Sequence, residues 1–210
     1  MLTTLPNLLT LSRIIAVPLV VATFYVDPTV GPWAGCIIFA LAGFTDWLDG
    51  RLARAWQQQS AWGQFLDPIA DKVLVAATLL MLTATLRIAD WAVLPAVVIL
   101  AREILVSGLR EHLAEIRVKV PVSNLAKWKT AVQMIAIGVL LVGDAAPEIL
   151  HAKFLGEGLL WIAAALTLVT GYQYFRAGVV HVSVEEDRRQ QQAQNIKAGA
   201  MKAAKPSQAT

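Results

Sequence analysis

Six strongly apolar segments follow one another along the chain, separated by short polar or turn-forming stretches. They cover about residues 7–25, 33–54, 65–86, 91–113, 125–142 and 158–174. Each is close to the roughly 20 residues that an α-helix needs to cross the hydrocarbon core of a bilayer. The pattern predicts an all-α integral membrane protein with six transmembrane helices.

The polar stretches support this division of the chain. Asp27-Pro28 and Gly31-Pro32 mark a turn after the first segment, and residues 55–64 combine glutamines with two tryptophans, a composition typical of a membrane interface. Residues 184–210 have too little apolar surface to fold alone. We therefore expect a six-helix transmembrane domain over residues 1–183 and a polar, disordered tail over residues 184–210.

Composition agrees with a membrane protein of one domain. Of the 210 residues, 57% are hydrophobic and only 16% are charged, with a mean hydropathy of +0.58. That charged fraction is below the quarter that is typical of soluble domains. A net charge of +3 gives no reason to expect a nucleic-acid partner, and the single cysteine, Cys36, excludes a disulfide within one chain.

The positions of the basic residues predict the orientation in the membrane. With six spans, both termini and the connectors after the second and fourth segments lie on one side. That side carries thirteen basic residues, against two on the other side, Arg87 and Lys153. The thirteen are Arg51, Arg54, Arg110, Arg117, Lys119, Lys127, Lys129, Arg176, Arg188, Arg189, Lys197, Lys202 and Lys205. Because positive charges favour the cytoplasmic side, this face is predicted to be cytoplasmic.

Four aspartates between the second and third segments form the most informative pattern. Residues 46–71 read D-x2-D-G-x2-A-R-x8-G-x3-D-x3-D, with the acids at Asp46, Asp49, Asp67 and Asp71. Residues three or four apart share one face of a helix, so each pair points one way from its own helix. A short connection makes the two helices antiparallel neighbours, and the four carboxylates then face each other.

Four facing carboxylates need cations to remain ionised together. Oxygen ligands suit a hard ion such as Mg²⁺ or Mn²⁺, and two divalent ions would balance the four charges and form the clamp used in phosphoryl displacement. The alternative is a set of salt bridges with Arg51, Arg54 and Lys72. Two arginines do not balance four acids, however, and Lys72 adjoins Asp71, so it points elsewhere on a helix.

The complete pattern resembles the signature of the CDP-alcohol phosphotransferases, membrane enzymes that transfer a substituted phosphate from a CDP-linked donor to an alcohol. The resemblance runs from about Pro6 to the 170s and is strongest to bacterial members that use glycerol 3-phosphate. Five stretches carry it: Asn7-Leu-Leu-Thr10-Leu-Ser-Arg13, Thr45-Asp-Trp-Leu-Asp-Gly50, Phe65-Leu-Asp-Pro-Ile-Ala-Asp-Lys72, Ala101-Arg-Glu-Ile104 and Lys127-Trp-Lys-Thr130. It implies a CDP-alcohol phosphotransferase-like bundle and a homodimer.

The resemblance also implies roles for the residues of the pattern. Asp46, Asp49 and Asp67 resemble the main ligands of two Mg²⁺ ions, with Mn²⁺ as the alternative. Asp71 resembles a metal ligand that is also the general base for the acceptor hydroxyl. The residues implied to bind CDP-diacylglycerol are Asn7, Thr10, Gly50, Ala53, Arg54, Ser60 and Gly63. The small residues among them would let a nucleotide lie close to the helices, although close helix packing is an alternative reason for them.

Basic residues near the same face predict a phosphorylated acceptor. The candidates to bind its phosphate are Arg13, Arg102, Arg110, Lys127 and Lys129. Arg13 has the alternative of reaching the interface with its long side chain, and Arg102-Glu103 has the alternative of a polar network that joins helices. The predicted reaction joins CDP-diacylglycerol and sn-glycerol 3-phosphate at the membrane, giving phosphatidylglycerophosphate and CMP.

Other functions are weighed against this one. Within the family, inositol phosphate or phosphatidylglycerol could be the acceptor. Membrane prenyltransferases also use aspartates and Mg²⁺, but the two Asp motifs of that family lie far apart on a longer bundle, whereas both pairs here lie within 26 residues. A cation transporter would need its acids near the midplane of the membrane, whereas these acids cluster at one face, and the chain has no paired halves with interrupted helices.

Overall fold

The computed structural model describes residues 5–56, 61–115 and 124–203. The described residues form six α-helices, which we number in chain order, and three single-turn 3₁₀ helices, with no strand among them. The α-helices are α1 Leu5–Thr23, α2 Val30–Trp56, α3 Ala61–Ala84, α4 Val93–Glu115, α5 Asn124–Val142 and α6 Ala152–Ala203. The all-α prediction is confirmed, and each helix contains one of the predicted apolar segments or most of it.

Several of these helices have the length and composition of membrane spans. Within the described residues, Asp90–Ala114, Leu125–Ala145 and Glu148–Arg176 are long and apolar enough to cross a bilayer, and Leu8–Thr23 and Val30–Asp46 are shorter apolar helices. Large apolar side chains are exposed on the outer surface, including Leu80, Leu105 and Phe175. A helical membrane protein is therefore confirmed, while the number of six spans stays a prediction.

The core of the bundle lies between the apolar faces of all six helices. It contains Phe39 on α2, Leu79 on α3, Ile99 on α4, Ile137 on α5 and Leu160 on α6, each at most 1% exposed. Helix α5 packs mainly against α6 and α2, α1 packs against α2 and α3, and α4 packs against α6. Helix α3 also contacts α4 and α5, near the polar residues Asp71, Glu103 and Gln133.

The turn between α1 and α2 is held by local hydrogen bonds. The backbone N–H of Thr29 donates to the Asp27 carboxylate at 2.8 Å, which lowers the pKa of that carboxyl below its usual range. The N–H of Gly31 donates to the Asp27 carbonyl, also at 2.8 Å. A Cβ at Gly31 would lie 2.4 Å from the backbone oxygen of Thr23. Only glycine lets the two helices approach this closely.

Arg87 joins three parts of the bundle at the end opposite the Asp motif. It lies after α3, donates to the carbonyl of Leu141 on α5, and has its guanidinium carbon 5.3 Å from the centre of the Phe24 ring. From Asp71, α3 continues for thirteen residues to Ala84, and a helix rises about 1.5 Å per residue. The Arg87 contacts therefore lie roughly 20 Å along the bundle from that carboxylate.

Helix α6 is much longer than the apolar segment that predicts it. It begins at Ala152, directly after His151 in the left-handed conformation, and continues to Ala203. The polar stretch from Val184, for which we expect a disordered tail, is thus helical as far as Ala203. Alanine, glutamine, glutamate, arginine and lysine dominate this stretch, and all of them favour helix. The division into a domain and a tail at residue 184 stays a prediction.

Candidate active site

The four aspartates of the motif lie on two consecutive helices. Asp46 and Asp49 belong to the C-terminal half of α2, and Asp67 and Asp71 belong to the N-terminal half of α3. The side chains of Asp49 and Asp67 lie outside the described part of the structure, so the geometry rests on Asp46 and Asp71.

Asp46 accepts a hydrogen bond from Arg13 on α1 in an ion pair. The Arg13 side chain is 1% exposed, whereas that of Asp46 is 45% exposed. Most residues of α1 are apolar and a buried charge without a partner is costly, so the pair explains why an arginine is tolerated there. Arg13 is therefore paired with the first acid of the motif inside the protein, and it does not extend to the membrane interface as an unpaired charge.

Asp71 is half-buried and lies in a field of several charges. Asp46 and Glu103 act on its carboxylate with like charge, and Lys72 and Arg13 act with opposite charge. Lys72 itself donates to the carbonyl of Pro68 at 2.6 Å, as expected for a residue that points away from Asp71. Carboxylates from α2, α3 and α4 thus converge on one region, where a cation would relieve their repulsion.

The predicted metal site is only partly within the described residues. Among the described side chains, no group of three or more His, Cys, Asp and Glu residues is close enough to hold a metal ion. Asp46 and Asp71 do bring two oxygen-bearing side chains of the right chemistry from separate helices into one electrostatic environment. These two residues therefore fit a hard divalent ion, while the four-ligand site stays a prediction.

Most of the predicted donor-binding residues lie on the same three helices. Thr10 on α1 is buried, with 1% of its surface exposed. Asn7 lies in α1, Gly50, Ala53 and Arg54 in α2, and Gly63 in α3, but their side chains are outside the description. Ser60 falls in the gap between the described ranges. The helix assignments agree with one common site at this end of the bundle.

Two of the predicted phosphate-binding residues are held by Glu103. Lys129 on α5, 5% exposed, forms an ion pair with the Glu103 carboxylate on α4. Arg102 donates to the same oxygen at 3.3 Å and to the Thr170 hydroxyl on α6 at 2.9 Å, and it lies 5.9 Å from the centre of the Tyr174 ring. This is the polar network that the sequence offers as the alternative for Arg102 and Glu103.

The two other basic candidates on α4 and α5 are exposed. Arg110 lies seven residues after Glu103, roughly 10 Å further along α4 towards the α4–α5 connection. Lys127 lies near the start of α5, two residues before Lys129. Both side chains are therefore accessible to a ligand that approaches this face of the protein.

A cavity of about 180 Å³ lies between α3, α4 and α5, beside Asp71 and Glu103. Asp71 and Lys72 from α3, Glu103 from α4 and Gln133 from α5 supply its polar lining, and the remaining lining is aliphatic. Gln133 is 4% exposed, and its Oε1 has no hydrogen-bond donor among the described residues. A buried polar atom of this kind needs a partner, because leaving it unpaired costs about 1–3 kcal/mol.

Gln133 is a residue that sequence reasoning missed. A signal was present, since Gln133 follows Lys129 by four positions and therefore shares its face of α5. A single glutamine in an apolar helix is unremarkable by itself, however, and only the packing of α3, α4 and α5 brings it into the same cavity as Asp71.

Comparison with known proteins identifies the family of this sequence pattern. Residues 3–169 match the CDP-alcohol phosphatidyltransferase family. This range contains all four aspartates of the motif, the five basic candidates and Gln133.

Relatives with curated names cover most of the chain. A Rickettsia bellii protein is 47% identical over 173 residues, which are 82% of this chain and 94% of that protein. A Shigella flexneri serotype 5b protein is 45% identical over 175 residues, 82% of this chain and 93% of its own length. A Cereibacter sphaeroides protein is 36% identical over 217 residues, 87% of this chain and 98% of its own length. All three are named CDP-diacylglycerol–glycerol-3-phosphate 3-phosphatidyltransferase.

Proposed function

The chain belongs to the CDP-alcohol phosphatidyltransferase family, and we infer that it transfers a phosphatidyl group from CDP-diacylglycerol to sn-glycerol 3-phosphate. The products are phosphatidylglycerophosphate and CMP, so the enzyme acts in phospholipid biosynthesis. The observation that carries this conclusion is the shared name of relatives that align over the residues containing the whole Asp motif. The convergence of Asp46, Asp71 and basic residues at one end of the bundle supplies the chemistry that the reaction needs.

Enzymes of this family depend on divalent metal ions. We propose that Asp46, Asp49, Asp67 and Asp71 hold two Mg²⁺ ions, with Mn²⁺ as a substitute. When bound, such ions neutralise the pyrophosphate of the donor and stabilise the charge that develops on departing CMP. The pairing of Arg13 with Asp46 supports this proposal, because the arginine fixes the orientation of one carboxylate from the side of α1.

Asp71 is proposed to accept the proton of the acceptor hydroxyl. Its carboxylate lines the 180 Å³ cavity, so a small alcohol in the cavity has its hydroxyl within reach of that group. Asp46 on α2 and Glu103 on α4 lie near enough to act on the same carboxylate. General-base catalysis by a positioned side chain contributes about 10²–10⁴ to a rate.

The acceptor phosphate is proposed to bind at the positive side of the cavity. Arg110 and Lys127 are exposed, and Lys129, two residues after Lys127, forms an ion pair with Glu103. Arg102 is held by Glu103 and Thr170, and Arg13 by Asp46, so these two arginines contribute charge from behind the site. Together they make the region suitable for a dianionic acceptor and unsuitable for a cationic one.

The donor is proposed to bind across α1, α2 and α3. Asn7, Thr10, Gly50, Ala53, Arg54, Ser60 and Gly63 would contact its nucleotide and pyrophosphate, with the small residues allowing close approach. The acyl chains would extend sideways from the site into lipid. The exposed apolar side chains on the bundle support this arrangement, because they provide surface for lipid contact.

We propose that the protein lies in the bacterial cytoplasmic membrane as a homodimer, with the active site and both termini facing the cytoplasm. The distribution of basic residues, thirteen against two, supports this orientation. Nucleotides and phosphorylated metabolites are cytoplasmic, so the orientation also gives both substrates access to the Asp motif.

The direct test is CMP release from CDP-diacylglycerol by the purified protein in detergent micelles. The reaction is run with Mg²⁺ and either glycerol 3-phosphate, inositol phosphate or no acceptor. We expect release only with glycerol 3-phosphate and its loss after chelation of divalent ions, with recovery on addition of Mg²⁺. If CMP is released with inositol phosphate and not with glycerol 3-phosphate, the acceptor is inositol phosphate. A folded protein that is inactive with every acceptor would overturn the assignment.

A further inference from the structure

The cavity between α3, α4 and α5 is lined by a buried polar group that has no role in the proposed reaction. Gln133 lines the cavity together with Asp71 and Glu103, and it is 4% exposed. Its side-chain oxygen has no donor among the described residues. Glu103 cannot supply one as a carboxylate, because an ionised carboxyl group only accepts hydrogen bonds. A ligand with a hydroxyl group can.

The size of the cavity suits a small ligand of this kind. A cavity of about 150 Å³ lined only by apolar groups holds benzene and stays dry. The present cavity is about 180 Å³ and has polar groups on three helices, so it can hold a three-carbon polyol. Its aliphatic lining, which includes Val75 and Leu100, would contact the carbon skeleton of such a ligand.

The positions of the polar groups around the cavity match the functional groups of glycerol 3-phosphate. Asp71 on α3 is proposed to face the hydroxyl that reacts, and Lys129 is the basic residue nearest Gln133 in sequence on α5. Gln133 lies four residues further along α5 than Lys129 and on the same face. A ligand whose phosphate lies towards Lys129 and whose reacting hydroxyl lies at Asp71 leaves its remaining hydroxyl for the Gln133 amide.

We propose that Gln133 binds the second hydroxyl of the acceptor and thereby selects a polyol phosphate over a simple hydroxyalkyl phosphate. This inference rests on the proposed function. An amide can both accept from and donate to a hydroxyl, so the interaction does not depend on which way the amide is turned. A site that pairs a buried polar group with a substrate hydroxyl discriminates against the analogue that lacks the hydroxyl, since the group is then left unpaired.

The test compares two acceptors in the CMP-release assay. One is glycerol 3-phosphate, and the other is 3-hydroxypropyl phosphate, which keeps the reacting hydroxyl and the phosphate but lacks the second hydroxyl. For the wild-type protein, we expect kcat/KM to be at least about tenfold higher with glycerol 3-phosphate. In Gln133→Met, which keeps the length of the side chain without its polar atoms, the ratio of the two kcat/KM values should fall to near one.

Thr167→Val is the matched control. Thr167 on α6 is also fully buried, and its hydroxyl has no partner among the described residues, but it does not line the cavity. The control should keep the wild-type ratio, because general damage to packing changes both acceptors alike. The KM for CDP-diacylglycerol should be the same in Gln133→Met as in the wild type.

Two results would overturn the inference. One is a wild-type protein that uses both acceptors with equal efficiency, a measurement that needs no variant and is unaffected by whether Gln133→Met folds. The other is a folded Gln133→Met protein that keeps the wild-type ratio. Failure of the wild type with both acceptors would instead count against the proposed function itself, so the two failures are distinguishable.

Discussion

The guanidinium of Arg13 on α1 donates a hydrogen bond to the carboxylate of Asp46 on α2. The arginine is almost completely buried, and the aspartate is half exposed. The Asp46 carboxylate is therefore held by α1 on one side, and the rest of its surface remains accessible. The pair links the packing of α1 to the chemistry at the start of the motif.

Loss of this ion pair should lower the turnover rate more than it lowers the stability of the protein. In Arg13→Met, Asp46 loses the donor that orients it, and we expect turnover to fall about 10–100-fold, as for other residues that orient metal ligands. Arg13→Lys keeps the charge and should lose less. Lys153→Met, at an exposed cation near the start of α6, is the control and should retain wild-type CMP release. Equal activity of all three variants would contradict the role of Arg13.

Asp71→Asn should fold and bind CDP-diacylglycerol yet turn over very slowly. Asparagine keeps the shape of the side chain but cannot accept a proton at neutral pH, so the rate should fall about 10²–10⁴-fold. Initial rates of CMP release and a thermal-shift measurement with CDP-diacylglycerol and Mg²⁺ separate catalysis from binding.

The control for this variant is Asp90→Asn. Asp90 is an exposed acid with a φ of 50°, a conformation that asparagine adopts readily. It follows α3 at the end of the bundle away from the motif, so the Asp90→Asn variant should release CMP at the wild-type rate. A rate for Asp71→Asn close to that of Asp90→Asn would exclude Asp71 as the general base.

Glu103 should stabilise the protein through the charges that it holds. In Glu103→Ala, Lys129 and Arg102 remain mostly buried without their acid. We expect a loss of about 2 kcal/mol, less than the 3–5 kcal/mol of a fully buried pair because Glu103 is 18% exposed. In the double variant Glu103→Ala/Lys129→Met one of the unpaired charges is gone, so its loss should be smaller than the sum of the single losses.

Unfolding by denaturant in detergent micelles measures these differences. Glu111→Ala is the control, because Glu111 is an exposed acid on the same helix, about two turns beyond Glu103. Additive losses in the double variant would show that Glu103 and Lys129 do not depend on each other.

Gly31→Ala should destabilise the turn between α1 and α2. The added Cβ would lie 2.4 Å from the backbone oxygen of Thr23, which cannot move without shifting α1. We expect a cost of about 1–3 kcal/mol. Gly158→Ala, in α6, should instead be neutral or gain up to about 1 kcal/mol, because among the described residues beyond its own helical turn no atom lies within 4 Å of the new Cβ. Thermal unfolding of the two variants side by side tests this; similar melting temperatures would refute it.

The helices were predictable because apolar segments of bilayer length leave little choice of structure. Their ends were less so. Helix α3 begins at Ala61, four residues before the predicted start, and α6 continues from Ala152 to Ala203, well beyond residues 158–174. Hydropathy marks the part of a helix that contacts lipid or core, whereas hydrogen bonding along the backbone continues into polar residues that also favour helix.

The site was predictable as a motif but not as a set of contacts. Spacing within the motif puts Asp46 and Asp71 on helices that meet, and the family resemblance supplies their roles. Which cation pairs with which acid depends on how α1, α4 and α5 pack. The sequence therefore left Arg13 between two explanations and gave only the four-residue spacing from Lys129 as a signal for Gln133, which lines a cavity formed by three helices.

Arg87 has a consequence for the biogenesis of the protein. Its guanidinium is engaged by the Leu141 carbonyl and the Phe24 ring, contacts that form only when the segments after α1 and α3 and the C-terminal end of α5 have come together. In the proposed orientation it is one of two basic residues that must be translocated. In that orientation, the contacts of Arg87 with Leu141 and Phe24 can form only after the connection between α3 and α4 has crossed the membrane.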